Sequence, residues 1–401
     1  MTARPWLALQ LTLVAQILAT FVLAMAPVLA PAVAPQLGLR SDLVGLFTGT
    51  AYLFAMLSGL LCGPWINPVG PVRFTQLVLL VAACGGLLAT FTSSAGLLVA
   101  AAFIGAGYGA ANPAATAILG RHAPARSAGL FFALKQAGVP AGIALAGVVL
   151  PVGLVALGWR ETVWLAAAAC VLAAASFAPA VRRLEDQAAA PPGRLAWAGS
   201  FLQVLRHAPL RRLSLASATY AMAQLGFLTY SVSLLVQLGL PLAVAAGLLS
   251  ASQVASLVMR ISLGHVADRW VRPRLLLSVL GLAMAVASLV LAFLPSMPPV
   301  AVAGLVMVLV GATTMGWNGV FFAELIRIVP REQLAQSAGG TQVFIFGGSM
   351  LGPYLFSQLL QFGGSYRLGY VALAALAAMG ALSMLLSRDD SAGPGRGGRP
   401  G

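Results

Sequence analysis

Twelve apolar runs, each long enough to cross a bilayer, constrain this chain more than any other feature of its sequence. Inside hydrocarbon every backbone N–H and C=O must find a partner within the protein, so only helices and closed barrels can cross. The runs lack the residue-by-residue alternation of a barrel strand, which leaves helix. The expected spans are Trp6 to about Ala34, then 43–62, 74–92, 96–119, 128–157, 162–180, 213–236, 241–263, 275–294, 298–325, 335–362 and 368–387. The first imitates a signal peptide in its Arg4, apolar core and small-residue end. Eleven spans follow it, so it is read as a retained helix.

Composition closes off the soluble classes. With 60% hydrophobic and 8% charged residues and a mean hydropathy of +0.94 over 401 residues, a soluble fold would leave too much apolar surface in water. The net charge of +14 would suggest nucleic acid in a soluble chain. Here the arginines fall in the gaps between apolar runs, as in loops held on the positive-inside face, and no nucleic-acid partner is expected. Cys62, Cys84 and Cys170 lie in or beside apolar runs and read as small core residues. The dominance of arginine over a single lysine, with abundant Ala and Gly, suggests a GC-rich bacterial genome, hence a bacterial inner membrane.

Loop arginines set the orientation. With the N-terminus inside, the cytoplasmic face holds eighteen of them, from Arg4 and Arg73 to Arg396 and Arg399; the other face holds Arg40, Arg160 and Arg367. Both termini are therefore expected in the cytoplasm. The longest connection, 181–212, divides an N-terminal bundle (1–180) from a C-terminal one (213–387), and the Gly, Pro and Arg rich tail 388–401 is expected to be disordered.

The halves repeat each other. Leu37-Gly38-Leu39 returns as Leu238-Gly239-Leu240, 201 residues on; Gly105, Asn112, Arg121 and Pro124 return as Gly311, Asn318, Arg327 and Pro330, 206 on; Gly138 and Gly142 return as Gly348 and Gly352, 210 on. Any one match is cheap in a chain this rich in Gly and Ala, but the conserved order at a near-constant offset points to two six-span repeats.

Between spans eight and nine runs Gly264-His265-Val266-Ala267-Asp268-Arg269-Trp270-Val271-Arg272-Pro273-Arg274. This stretch resembles the G-x-L-A-D-R-x-G-R-R loop signature of the major facilitator superfamily; the first-half copy keeps Gly63, Gly70 and Arg73 but carries Asn67 and Pro68 where the acid and base would stand. The resemblance implies an all-α integral membrane fold of twelve transmembrane helices in two pseudo-symmetric six-helix bundles, alternating around one cavity. Gly264, Asp268, Arg269 and Arg272 are then expected to form a gating latch with Glu324, against the simpler alternative that Glu324 pairs with Arg327 one turn away.

Polar residues within spans need partners or a cavity. Tyr108, Asn112, Tyr220, Gln224, Tyr230, Trp317, Asn318 and Gln342 are the candidates for lining one, each weighed against an interhelical hydrogen bond. Lys135 lies eight residues past Ser127, about 12 Å into span five at 1.5 Å per residue. Arg260, one turn before Gly264, occupies a place similar to that of the anion-binding arginine in nitrate/nitrite, oxalate/formate and monocarboxylate members; Gly59 stands at the symmetric position of span two. No acid lies in mid-span, so the two cations are uncompensated unless water or an anion relieves them, and the substrate anion is expected to be held between Lys135 and Arg260.

The expected function is secondary active or facilitative transport of a small organic or inorganic anion, with efflux of neutral or hydrophobic drug-like compounds as the alternative and a membrane sensor as a distant one. No enzyme motif, cofactor or metal cluster is expected: His122, His207 and His265 fall near loops and the sole lysine is in no phosphate-binding loop. The expected partners are the anionic substrate, the lipid bilayer, and a proton or counter-transported ion; the chain is expected to be a monomer.

Overall fold

The structure is a computed structural model that describes residues 3–40, 42–91, 93–124, 127–185, 197–269, 271–330 and 333–386. The expected disordered tail, 388–401, lies outside the described residues. The chain forms α1 (Ala3–Gln36), α2 (Leu43–Leu61), α3 (Gly63–Val69), α4 (Pro71–Leu88), α5 (Ser94–His122), α6 (Ala128–Gln136), α7 (Gly138–Leu157) and α8 (Trp159–Ser176). It continues with α9 (Ala178–Leu184), α10 (Trp197–Arg206), α11 (Ala208–Gln237), α12 (Leu242–Arg269), α13 (Pro273–Ala292), α14 (Val300–Ile328), α15 (Leu334–Gly363) and α16 (Tyr366–Leu385). Among the described residues these supply twelve segments long and apolar enough to cross a membrane, one at each expected span.

Two departures have local causes. Span five breaks at Ala137 into α6 and α7, because Pro140 has no N–H to offer the Gln136 carbonyl one turn back. The connection expected over 181–212 is not all loop: it carries α10, and α11 begins at Ala208, its first turn capped where the Leu210 N–H donates to His207 Nδ1. Helix α10 buries Ser200 and Val204 and stacks Phe201 on Phe344 of α15 at 5.5 Å.

Packing repeats between the halves as the sequence does. A Cβ on Gly105 of α5 would run into the Ala51 carbonyl of α2, and one on its counterpart Gly311 of α14 into Ser252 of α12. Gly142 of α7 lies as closely on Ile17 of α1, and Gly352 of α15 on Met222 of α11. Glycine at these positions lets helix backbones touch, which is how helices associate where lipid offers no hydrophobic drive.

With twelve spans in series, the start of α1, the end of α16, the end of α9 and the start of α11 lie on one face, the connection face. The halves meet chiefly through α2 against α15 and α7 against α12. Toward the opposite, far face this seam is clamped: the Asp42 carbonyl accepts from the Tyr230 hydroxyl (3.1 Å) and from Ser357 Oγ (2.8 Å). Gly45 has no room for a side chain beneath Tyr230 and the Pro353 carbonyl, and Ser250 Oγ donates to the Ala144 carbonyl at 2.8 Å.

Candidate functional site

Below that clamp lies a cavity of about 60 Å³ between the halves. Its polar lining comes from Thr20 of α1, Thr48 and Tyr52 of α2, Tyr108 of α5, Gln224 and Thr229 of α11 and Arg260 of α12. Tyr52 and Tyr108 meet edge to face, centroids 5.9 Å apart. The Arg260 guanidinium is within electrostatic reach of the Tyr108 hydroxyl, and the residue is half-buried. Among the described residues Arg260 makes no hydrogen bond or ion pair, and no acid lines the cavity. Its guanidinium carries five N–H donors, in a wall that also holds threonine, tyrosine and glutamine side chains among aliphatic ones.

The expected partner cation is engaged elsewhere. Lys135, on α6, is buried, and its ammonium donates to Gln16 Oε1 of α1 (2.7 Å), to Gln136 Oε1 (3.2 Å) and to Asn112 Oδ1 of α5. Three amide oxygens use its three N–H donors. Gln16 is held in turn by donating to Thr20 Oγ1 at 3.1 Å. Lys135 is not among the residues lining the cavity.

The other candidates divide. Gln224 Oε1 accepts from Trp317 Nε1 (3.0 Å) and from Asn318 Nδ2 (3.4 Å), which ties α11 to α14 and orients the amide toward the cavity. Tyr220 donates to the Leu277 carbonyl at 3.0 Å inside the C-terminal half, and Tyr230 belongs to the clamp. Gln342 is half-buried on α15. Thr48, Tyr52 and Gln16 were not anticipated as site residues. Thr48 and Tyr52 are one turn apart on α2, and Thr12, Gln16 and Thr20 form a polar stripe at spacing four on α1, a pattern that marks one helix face.

At the expected latch the described residues show the alternative arrangement. Glu324 is buried and pairs with Arg327 at 2.8 and 2.9 Å, the simpler of the two arrangements anticipated. The side chains of Gly264, Asp268 and Arg269 lie outside the described residues, and Arg272 is exposed at the start of α13. In the first half, where Asn67 replaces the acid, Glu185 beyond α9 caps α4 instead. It accepts from the Val72 and Arg73 amides at 2.6 and 3.0 Å, while Asn67 Oδ1 accepts from Arg121 at 2.7 Å.

A larger cavity, about 160 Å³, is walled by Met25, Leu29, Val33, Phe47 and Leu97. It lies inside the N-terminal half rather than between halves, so rocking of one half on the other would not expose it to both faces in turn.

Two six-span bundles closing on a shared polar cavity define a helical membrane protein of the alternating-access kind. The sequence matches the Major Facilitator Superfamily over residues 12–339, and the chain belongs to that family, whose members are transporters. Sequence comparison with curated proteins finds no match. Among solved structures, a bacterial homolog of the human lysosomal transporter Spinster, inward-facing and occupied, superposes with a TM-score of 0.77 at 14% identity, covering 96% of this chain and 97% of that one. A POT family transporter in complex with 5-aminolevulinic acid gives 0.76 at 11% identity, with 94% and 95% covered. A D-xylose-proton symporter gives 0.72 at 17%, with 95% and 96% covered. At such identities the likeness is one of fold.

Proposed function

We propose that this transporter carries a small anion, bound with its negative group on Arg260 between Tyr108 and Gln224. The observation that carries this reading is the free guanidinium: a half-buried charge without a counter-ion inside a membrane span is costly, and an anionic substrate relieves it. Lys135 adds positive potential from the neighbouring amide cluster without spending a donor on the substrate. The connection face is cytoplasmic in this reading, with both termini on that side of a bacterial inner membrane. The clamp at Asp42, Tyr230 and Ser357 then closes the outside, which makes the conformation inward-facing. Asp268, Arg269, Arg272 and Glu324 control the inner end, and the chain works as a monomer.

Counterflow in proteoliposomes tests the proposal, using labelled carboxylates and oxyanions beside neutral and cationic compounds of similar size. The expected result is exchange of at least one anion by the wild type and its loss in Arg260→Met. Exchange of neutral or cationic compounds alone, or full anion exchange by Arg260→Met, would overturn it. Cysteines introduced into 181–212 should react with impermeant reagents only from the cytoplasmic side; labelling from outside intact cells contradicts the orientation.

A further inference from the structure

The cavity of about 160 Å³ in the N-terminal half lies where five helices end at the far face: the last turns of α1, the end of α4 and the starts of α2, α5 and α8. Its lining runs over about three turns of α1, from Val22 to Ala34. Val22, Met25 and Ile104, deeper in the bundle, are buried. Val33, Leu37, Leu97 and Trp159 are half-buried, so the cavity opens toward the surface at the far-face end. Next to that opening, Val99 and Phe103 of α5 are exposed, an apolar flank of the kind that meets lipid.

The lining excludes polar occupants. Apart from Arg40 and the Trp159 indole N–H, every side chain in it is apolar. A bound water needs several polar partners, and apolar cavities of about this size stay dry and take up apolar molecules. In a membrane the apolar molecule at hand is the lipid. The rim supplies what a headgroup needs: Trp159, an aromatic group where a span meets the interface, and Arg160, exposed and stacked over the Trp159 ring at 5.1 Å. Among the described residues Arg160 forms no ion pair. The nearby acids are turned elsewhere, Asp42 to Arg40 at 2.9 Å and Glu161 back toward Gly158. We propose that this cavity is a binding site for a phospholipid of the far leaflet: one acyl chain enters past Trp159 and ends near Met25, and Arg160 takes the phosphate. The site lies outside the path between the halves and is independent of the anion reading.

The test places the full chain in nanodiscs doped with a phospholipid that carries a photoactivatable diazirine at the end of one acyl chain, and maps the adducts by peptide mass spectrometry. The wild type should be labelled inside the cavity, at Met25, Leu29 or Phe47, as well as on lipid-facing Val99 and Phe103. Ala30→Leu puts a larger side chain into the cavity and should lower the inner labelling about tenfold, with the outer labelling unchanged. Arg160→Gln should lower the inner labelling by up to about fivefold, as for an exposed ion pair. Labelling confined to the outer residues overturns the site. A diazirine hydrocarbon without a headgroup that labels the cavity as strongly as the phospholipid, or full inner labelling in Arg160→Gln, overturns its assignment to a phospholipid. The wild-type pattern with the two probes decides even if Ala30→Leu fails to fold.

Discussion

Lys135 and Arg260 are cations set inside the spans, away from the loop arginines, and the protein treats them in opposite ways. Lys135, in the N-terminal half, is enclosed and has every donor committed to an amide oxygen on α1, α5 or its own helix. Arg260, in the C-terminal half, is half-buried beside Tyr108 with its donors uncommitted. Counting charges makes the two equivalent. Counting donors separates a tie that holds the N-terminal bundle together from a group kept available for a ligand.

The largest effect expected of that contrast is on stability. Lys135→Met leaves Gln16, Gln136 and Asn112 oxygens without their donor and should cost about 3 kcal/mol or more, at 1–3 kcal/mol per orphaned buried group. Arg260→Met removes a half-buried charge with no counter-ion beside it and should leave stability unchanged or raised. Thermal unfolding of both variants in nanodiscs checks this, and equal losses would erase the distinction.

A smaller effect concerns the clamp that closes the far end of the Arg260 cavity. Gly45→Ala pushes a methyl group into the Tyr230 hydroxyl and the Pro353 carbonyl, at about 1–3 kcal/mol for an overpacked contact. Reaction of a cysteine placed at the far face should speed up by about tenfold, since 1.4 kcal/mol is a factor of ten in population. Unchanged reactivity would mean that the clamp does not hold this state. The first-half latch compares with the second on a finer scale. Glu185→Ala removes the cap on α4 and should cost about 1 kcal/mol in thermal unfolding; no measurable loss would make Glu185 incidental. Tyr230→Phe should have the mildest effect, about 1 kcal/mol by the same cysteine measurement, because Ser357 still donates to Asp42. An effect as large as that of Gly45→Ala would show that the hydroxyl, not the close approach, holds the seam.

The spans were legible because a bilayer enforces length and apolarity on every crossing, and the repeat because close approach demands glycine at Gly105 and Gly311 alike. Arg260 and Gln224 stood out as polar residues without local reason, and both line the cavity. The saturation of Lys135 was hidden: Gln16 sits 119 residues away in sequence, and only the fold brings α1 against α6. The stripe Thr12, Gln16, Thr20 was visible and could have flagged a polar helix face seeking a donor. Helix α10 was missed because its apolar face is only a few residues long within a polar connection, and Phe344 of α15 supplies the surface that stabilises it.

The central claim is that, of the two cations, Arg260 touches the substrate while Lys135 holds the bundle. Side-by-side calorimetric titration of the labelled panel's carboxylates and oxyanions into wild type, Arg260→Met and Lys135→Met tests it most directly. Loss of a charge-assisted contact worth about 1.5–3 kcal/mol predicts binding roughly ten- to a hundredfold weaker in Arg260→Met. Lys135→Met should stay within about threefold of wild type, having lost no contact to the ligand. Equal losses in the two variants, or wild-type affinity in Arg260→Met, would contradict the account.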